Sequence, residues 1–342
     1  MIAVALSGGD DSTAAALILH EQGEEIMGIT LLLDEGVPDR VHLESAAHLC
    51  RHLGVAHHVL DVRKKFSSIP AYFLREYLHG KTPNPCAVCN RDIKFRVFMK
   101  QASALGADAM ATGHYAQKGT SQGRYYLMQA REANSQEYFL GLLSQEDLMH
   151  ALFPLGEITR SQARELVKAS GIPRSNIRPS QNVCFVPRGG YVPFVCSSTG
   201  HTPVPGRILD LEGRILGVHR GVIRYTPGQR KGLGTGFGRK VYVLSKEISD
   251  NTITVGNLDQ WPYTGFRVTG LNYMKASVLE SDASVFVKVR YRQNPVPARI
   301  LSTDGGCIEV GYTGIVAPGQ LAALYDAQNA ILAAGIIETP VR

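Results

Sequence analysis

Two parts of this 342-residue chain carry residue types able to do chemistry. The first is Leu6-Ser7-Gly8-Gly9-Asp10-Asp11-Ser12-Thr13. Its glycines let the backbone approach a ligand with no Cβ in the way. Its serines add hydroxyl donors, and an aspartate there can help hold Mg²⁺. The second is a set of cysteines. Cys86 and Cys89 lie in Thr82-Pro83-Asn84-Pro85-Cys86-Ala87-Val88-Cys89-Asn90-Arg91, and Cys184 lies far along in Ser180-Gln181-Asn182-Val183-Cys184-Phe185-Val186-Pro187. A thiol at a helix N-terminus beside Arg91 and Lys94 is predicted to have a lowered pKa and to be a good nucleophile. Cys50, Cys196 and Cys307 sit in apolar or strand-like settings and read as packing residues.

The elements around these residues position them. Ile2-Ala3-Val4-Ala5 reads as a buried strand, and Ala14 to His20 as a helix opening. A strand that ends in small residues and turns at once into a helix is a phosphate site, because the helix start offers free N–H groups and the positive end of a dipole. There is no Gly-Lys-Ser/Thr ending and no G-x-G-x-x-G, so neither the Walker loop nor the dinucleotide fingerprint applies. Strands are predicted at Glu25 to Leu33, Ala56 to Val62 and Ala107 to Thr112, and helices at Val41 to Leu53, Phe66 to Leu78 and Asp92 to Leu105. This rhythm makes a doubly wound α/β domain with a parallel sheet. Ligands of such sheets sit at the carboxyl ends of the strands. The Ser7 loop and Gly113-His114-Tyr115 are therefore expected on one edge.

Helices are also predicted at Gln145 to Leu152 and Ser161 to Ser170. Pro203-Val204-Pro205-Gly206 marks a boundary, followed by a hairpin signal around Glu212-Gly213. From Gly265 onward, short β-rich runs alternate with turn residues, which reads as a small all-β barrel. The division expected is 1–202, a central β-rich domain at 203–262 and a barrel at 263–342. A net charge of +6 and a pI near 9.0 favour a polyanionic partner. No run of about 18 apolar residues is present, so no membrane span is expected. No secretory signal is visible, and the expected compartment is the cytoplasm, where clustered cysteines are catalytic or metal-binding rather than disulfide-bonded. Arg224, Arg230, Lys231, Arg239 and Lys240 lie among Gly and Tyr, as RNA-backbone contacts require. His219 reads equally as a packed or a functional histidine.

Ser-Gly-Gly-x-Asp-Ser resembles the pyrophosphatase loop (PP-loop) of enzymes that cleave ATP to AMP and pyrophosphate. Together with Thr82-Pro83-Asn84-Pro85, Cys89-Asn90, Ile93-Lys94-Phe95, Ala111-Thr112-Gly113-His114-Tyr115, Tyr138-Phe139-Leu140, Ser180-Gln181, Cys184-Phe185, Tyr225 to Gly234, Arg290-Tyr291-Arg292 and Pro318-Gly319-Gln320, it resembles the tRNA-specific 2-thiouridylases over essentially the whole chain. The resemblance implies ATP-dependent placement of sulfur on the wobble uridine of tRNA. Ala5, Leu6, Ser7, Gly8, Gly9, Asp10, Asp11, Ser12 and Gly113 would hold ATP, Leu31 would line the adenine site, and Asp11 would organise Mg²⁺. Cys89 would be the nucleophile and Cys184 the persulfide carrier. Asn84 and Pro85 would lie against the target base, and His114, Gln136, Arg290, Tyr291 and Gln320 would touch tRNA. A sulfur donor, sulfide or a persulfide carrier protein, is implied as a partner.

The sequence departs from that family at Cys86, where an acidic residue is usual, and at Asn134-Ser135-Gln136, where Lys-Asp-Gln is usual. Cys86, Cys89 and Cys184 together resemble the three-cysteine [4Fe–4S] site of other tRNA-thiolating enzymes. Persulfide chemistry at Cys89 and Cys184, with Cys86 as bystander or resolving thiol, is the second reading. Half a zinc site is the third. The alternatives to a sulfurtransferase are a PP-loop ligase forming an amide with ammonia and a non-catalytic RNA-binding protein. Pyrophosphate release that depends on tRNA separates the three.

Overall fold

The structure is a computed structural model describing residues 1–35, 40–172, 183–233, 237–238 and 240–341. Ser180, Gln181, Gly234 and Arg239 lie outside the described residues. The first domain contains β1 (Ile2–Ala5), α1 (Asp10–Glu21), β2 (Ile26–Leu32), α2 (Arg40–Leu53), β3 (His57–Asp61), α3 (Arg63–Phe66), α4 (Ser68–Leu78), α5 (Pro85–Cys89), a π-helix (Asn90–Val97), α6 (Phe98–Ala104) and β4 (Ala109–Thr112). It continues with β5 (Gln117–Ser121), β6 (Arg124–Met128), α7 (Gln145–His150), β7 (Ala151–Leu152) and α8 (Arg160–Ala169), and α9 (Tyr191–Thr199) leads on to the next unit. Among the described residues one parallel sheet runs in the order β3-β2-β1-β4-β7. The order reverses between β1 and β4, so their carboxyl ends form the crevice where such sheets bind ligands. Ala5 pairs with Thr112 there, which brings the Ser7 and Gly113 loops out side by side.

Three local differences from the sequence reading have physical causes. The residues predicted as helix at Ala151–Leu152 instead pair with Met110 and Ala111, extending the sheet by one short strand. The helix predicted from Asp92 opens with the π-helical stretch Asn90–Val97, directly after Cys89. Such widened stretches re-aim side chains and cluster at functional sites. The β5–β6 hairpin turns at Gln122 and Gly123, both with positive φ, which is the geometry of a tight hairpin turn. The Gln-Gly pair gives only a weak signal for that turn.

The central unit contains β8 (Gly206–Leu209), β9 (Ile215–His219), β10 (Tyr242–Glu247) and β11 (Thr252–Gly256), in the order β10-β11-β8-β9. Its core is continuous with the first domain's. Ile208, Val222, Tyr225, Val243 and Ile253 share one apolar cluster with Phe66, Phe73, Tyr77, Cys89 and Phe185. His219 is buried there. Its Nδ1 accepts from the Gly221 N–H at 3.0 Å, so Nε2 carries the proton and donates to the Asn251 carbonyl at 3.1 Å. It is a packed, fully bonded histidine.

The last unit is a closed barrel of β12 (Gly265–Tyr273), β13 (Ser284–Lys288), β14 (Val296–Asp304), β15 (Cys307–Gly311), β16 (Leu321–Tyr325) and β17 (Ile331–Val341), ordered β12-β15-β14-β13-β16-β17. Leu321, Ala323, Tyr325 and Ala334 pack with Ala87, Phe95, Tyr138 and Leu140 of the first domain. Inside that joint Glu137, fully buried, accepts from Lys288 Nζ at 3.1 Å and Tyr325 Oη at 2.9 Å. Removing one partner of a buried pair leaves an uncompensated charge, which costs about 3–5 kcal/mol. Lys288→Met is therefore expected to lower the urea midpoint strongly. The double variant Glu137→Gln/Lys288→Met should recover part of the loss in equilibrium denaturation.

Candidate active site

The phosphate cradle begins where β1 ends. Ser7 N–H donates to Ser12 Oγ at 3.2 Å, and Ser12 Oγ–H donates to the Gly9 carbonyl at 3.0 Å. The loop thus folds back on the first turn of α1, where Asp10 and Asp11 stand. Gly8 has φ +75, and a Cβ there would strike the His42 carbonyl. Gly113 is also obligatory: its Cβ would lie 2.7 Å from the Asp11 carbonyl carbon and 2.8 Å from Ser12 N. These close approaches keep side-chain bulk away from the backbone at a helix start, as polyphosphate binding there requires. Ala5 and Leu31 are half-buried at the strand ends and Leu6 is buried beneath the loop.

Asp11 is placed by partners that the sequence did not disclose. Tyr115 Oη donates to Asp11 Oδ1 at 2.8 Å. Arg160 Nε stands 3.9 Å from Asp11 Oδ2 and its guanidinium lies 5.1 Å over the Tyr115 ring. Tyr115 belongs to the Gly-His-Tyr run, but nothing in the sequence tied Arg160 to it. A carboxylate has about four lone-pair sites, so Asp11 keeps acceptor capacity for a cation.

From the cradle contacts lead to the helical run that carries Cys86 and Cys89. Next to Tyr115, His114 Nδ1 is 2.9 Å from Thr112 Oγ1, and its ring centroid is 6.2 Å from that of Phe95 on the π-helix. Burial, aided by the Lys94 charge, pushes the His114 pKa down to about 3, so the imidazole is neutral at physiological pH. Lys94 also acts on all three thiols. Cys86, Cys89 and Cys184 lie close enough that the Cys184 charge acts on both others. Phe185 anchors the Cys184 segment, its ring edge-on to Phe73 at 5.4 Å and to Phe66 at 6.0 Å.

The thiols are not acidified, contrary to the sequence expectation. Cys89 is 6 % exposed, and burial pushes its pKa up to about 12, more than Lys94 brings it down. Cys86 and Cys184 open to solvent but are set in a dense wall, whose desolvation raises both. Cys89 ends α5 rather than opening it. Arg91 is spent on Asp92 in a two-pronged bond of 2.7 and 2.8 Å. Among the described residues no group of three or more His, Cys, Asp or Glu side chains is gathered to hold a metal. Cys50 lies in the sheet's core, 2 % exposed.

Several residues assigned by resemblance to base or RNA contact are engaged within the chain. Asn84 is buried and caps α5, its Oδ1 accepting from Ala87 N–H at 3.2 Å, with the buried Pro85 opening that helix. Gln136 Oε1 accepts from Tyr115 N–H at 3.0 Å. Arg290 donates to the Pro227 carbonyl at 2.9 Å, and Tyr291 Oη to the Asn134 carbonyl at 2.9 Å. Gln320 Nε2 donates to the Thr82 carbonyl at 2.7 Å. Arg224, Arg230, Lys231 and Lys240 are exposed.

Two outcomes follow from this geometry. Gly113→Ala is expected to weaken nucleotide binding at least about tenfold by pushing the two backbones apart, as read by calorimetric titration. In chelator-treated protein, alkylation of Cys184 by iodoacetamide should climb about tenfold per pH unit from pH 7 to 9, since only the thiolate reacts. Lys94→Met, which removes a cation shared by the thiols, should slow it further at each pH.

Three family models match in sequence: one described as tRNA methyl transferase HUP domain over residues 1–188, one as tRNA methyl transferase PRC-barrel domain over 194–257, and one as aminomethyltransferase beta-barrel domain over 263–337. The tRNA-specific 2-thiouridylase MnmA of Roseiflexus castenholzii is 37% identical over 355 residues, covering 95% of this chain and 96% of that one. The protein of the same name from Geotalea uraniireducens is 38% identical, covering 99% and 95%. That from Clostridium perfringens is 33% identical, covering 99% and 98%. Among solved structures, the U34-tRNA thiolase NcsA from Methanococcus maripaludis with its [4Fe-4S] cluster matches at 18% identity and a TM-score of 0.36, over 53% of this chain and 61% of that one. That likeness is too remote to bear on the chemistry. Identity of 33–38% along nearly the whole chain does bear on it: the chain belongs to the tRNA-specific 2-thiouridylase family.

Proposed function

We propose that this chain thiolates a tRNA uridine at the expense of ATP, at the wobble position. The observation that carries the reading is the bond of Tyr115 to Asp11 and the contact of the adjoining His114 with Phe95, next to Lys94, whose charge acts on all three thiols. It supports a nucleotide site and cysteines that work together. In the reaction the C2 oxygen of uridine attacks the α-phosphorus of ATP and pyrophosphate leaves. Sulfur then adds at C2, and the oxygen departs with AMP. Gly8, Gly9, Ser7 and Ser12 would bind the phosphates, with Ala5, Leu6, Asp10, Leu31 and Gly113 around the nucleotide and Asp11 orienting Mg²⁺. The neutral His114 can accept or donate a hydrogen bond without adding charge. Exposed Arg224, Arg230, Lys231 and Lys240 supply phosphate contacts on RNA. The working division is a catalytic domain at 1–202, a central domain at 203–262 and a barrel at 263–342. Family descriptions that speak of methyl transfer fit less well, because methyl transfer has no use for an ATP pyrophosphatase loop.

For the sulfur route, the three cysteines admit two readings. A thiol held protonated by burial is a poor nucleophile, whereas coordination to a metal deprotonates it outright. Cys86, Cys89 and Cys184 would be the thiolates holding a [4Fe–4S] cluster, and the cluster would supply the sulfide chemistry. As placed they are not gathered as such a site requires. The alternative route is a persulfide passing between Cys184 and Cys89. Iron and sulfide assays after anaerobic reconstitution decide: stoichiometric iron lost in Cys86→Ser supports the cluster, and iron-free active protein supports the persulfide.

Asp11→Ala is expected to abolish tRNA-dependent pyrophosphate release. Cys89→Ser should retain pyrophosphate release yet form no 2-thiouridine by nucleoside mass spectrometry. Thiouridine made at the wild-type rate by Cys89→Ser would defeat the assignment of that residue.

A further inference from the structure

The cysteine-bearing helix is held in front by one short segment of the distant barrel, and behind by Phe139, whose neighbour Tyr138 bonds that same segment. At its front, the turn Pro318-Gly319-Gln320 grips the approach to α5. Thr82 N–H donates to the Pro318 carbonyl at 2.7 Å, while Gln320 Nε2 donates to the Thr82 carbonyl at 2.7 Å and the Pro83 carbonyl at 3.3 Å. The turn is itself rigid, because Gly319 N–H donates to the Ile337 carbonyl and Ile337 N–H to the Gln320 carbonyl, both at 2.8 Å. Behind α5, Asn90 Nδ2 donates to the Phe139 carbonyl at 3.1 Å. The neighbouring Tyr138 Oη donates to the Leu321 carbonyl at 2.7 Å. Between these supports lie the buried Pro83, Asn84 and Pro85, followed by Cys86 and Cys89.

Pro85–Cys89 is the first turn of a helical run that continues through the π-helix Asn90–Val97 into α6, so the part without helical support is the approach Thr82-Pro83-Asn84. The contacts that fix this approach set where the first turn begins. The amide of Gln320 is the side-chain group from the barrel that reaches this loop with two donor contacts, both to backbone carbonyls just ahead of the Asn84 cap. We propose that Gln320 is a positioning residue: its amide fixes Thr82-Pro83 so that the Asn84-capped turn presents Cys86 and Cys89 to the nucleotide cradle. This rests on the thiolation reading only for its kinetic consequence. The positioning itself is a property of the folded chain. It differs from a direct RNA contact, because the same two N–H groups are committed inside the protein.

The test uses the full chain with Gln320→Glu, which keeps size and shape but replaces the donors with oxygens facing two carbonyls. Hydrogen–deuterium exchange of the amides of residues 84–97 is compared with that of α2, which packs on the far core. The expected result is about tenfold faster exchange confined to 84–97. With tRNA as substrate, kcat should fall about tenfold while KM for tRNA stays within about twofold. Gly319→Ala provides a second route to the same contact. At φ +90 its added Cβ would sit 3.0 Å from Lys81 Cβ, so the turn is pushed off the loop with the glutamine intact, and the same local exchange should appear. Unchanged exchange at 84–97, or exchange raised equally in α2, would overturn the proposal. So would a rise in KM alone. The exchange arm decides the matter even if the chain proves not to thiolate tRNA, and normal thiolation with unchanged exchange would remove Gln320 from the role without touching the function.

Discussion

Two backbones meet at Gly113 with no space for a side chain between them. The end of β4 and the first turn of α1 come together there, and the remaining geometry of the site follows. That contact sets Tyr115 within reach of Asp11, puts His114 beside Phe95, and so links the sheet's crevice to the helix carrying Cys89. The parallel topology alone would bring the loops of β1 and β4 to one edge. It would not bring them this close, and positioning to within an ångström is what separates a shared edge from a shared site.

Much of this arrangement was legible in the chain itself. The apolar run Ile2-Ala3-Val4-Ala5 followed by small residues announces a strand and a phosphate-binding turn, and the βαβ rhythm places Gly113 on the same edge. The closed barrel was likewise visible in the short β-rich runs after Gly265. What could not be read was environment. Arg91 and Lys94 near a cysteine suggest an acidic thiol, but the adjacent Asp92 takes up Arg91, and the apolar cluster around Cys89 outweighs Lys94. Local charge is written in sequence, whereas desolvation depends on Phe185 and on a central domain more than a hundred residues away. The same holds for Arg160, whose relation to Asp11 exists only once α8 has packed on α1.

The joints between domains are polar as well as apolar. Arg290, Tyr291 and Gln320 each spend a side chain on a backbone carbonyl of another unit. In the dry interior Lys288 and Tyr325 instead donate to a side chain, the Glu137 carboxylate. Backbone carbonyls make good partners for this purpose because they do not titrate and cannot turn away. The three units consequently form one continuous support for the cysteines, and the central unit shares its core with Cys89.

His114 has a consequence of its own. A histidine ordinarily changes charge between pH 5 and 8. Here burial and a lysine neighbour keep the ring uncharged throughout that interval. The stretch of wall joining nucleotide to sulfur therefore contains no proton switch at this position. Acidification or alkalinisation of the surroundings within that interval would leave this ring's charge unaltered, so a sensitivity of turnover to acidity there does not originate in this ring.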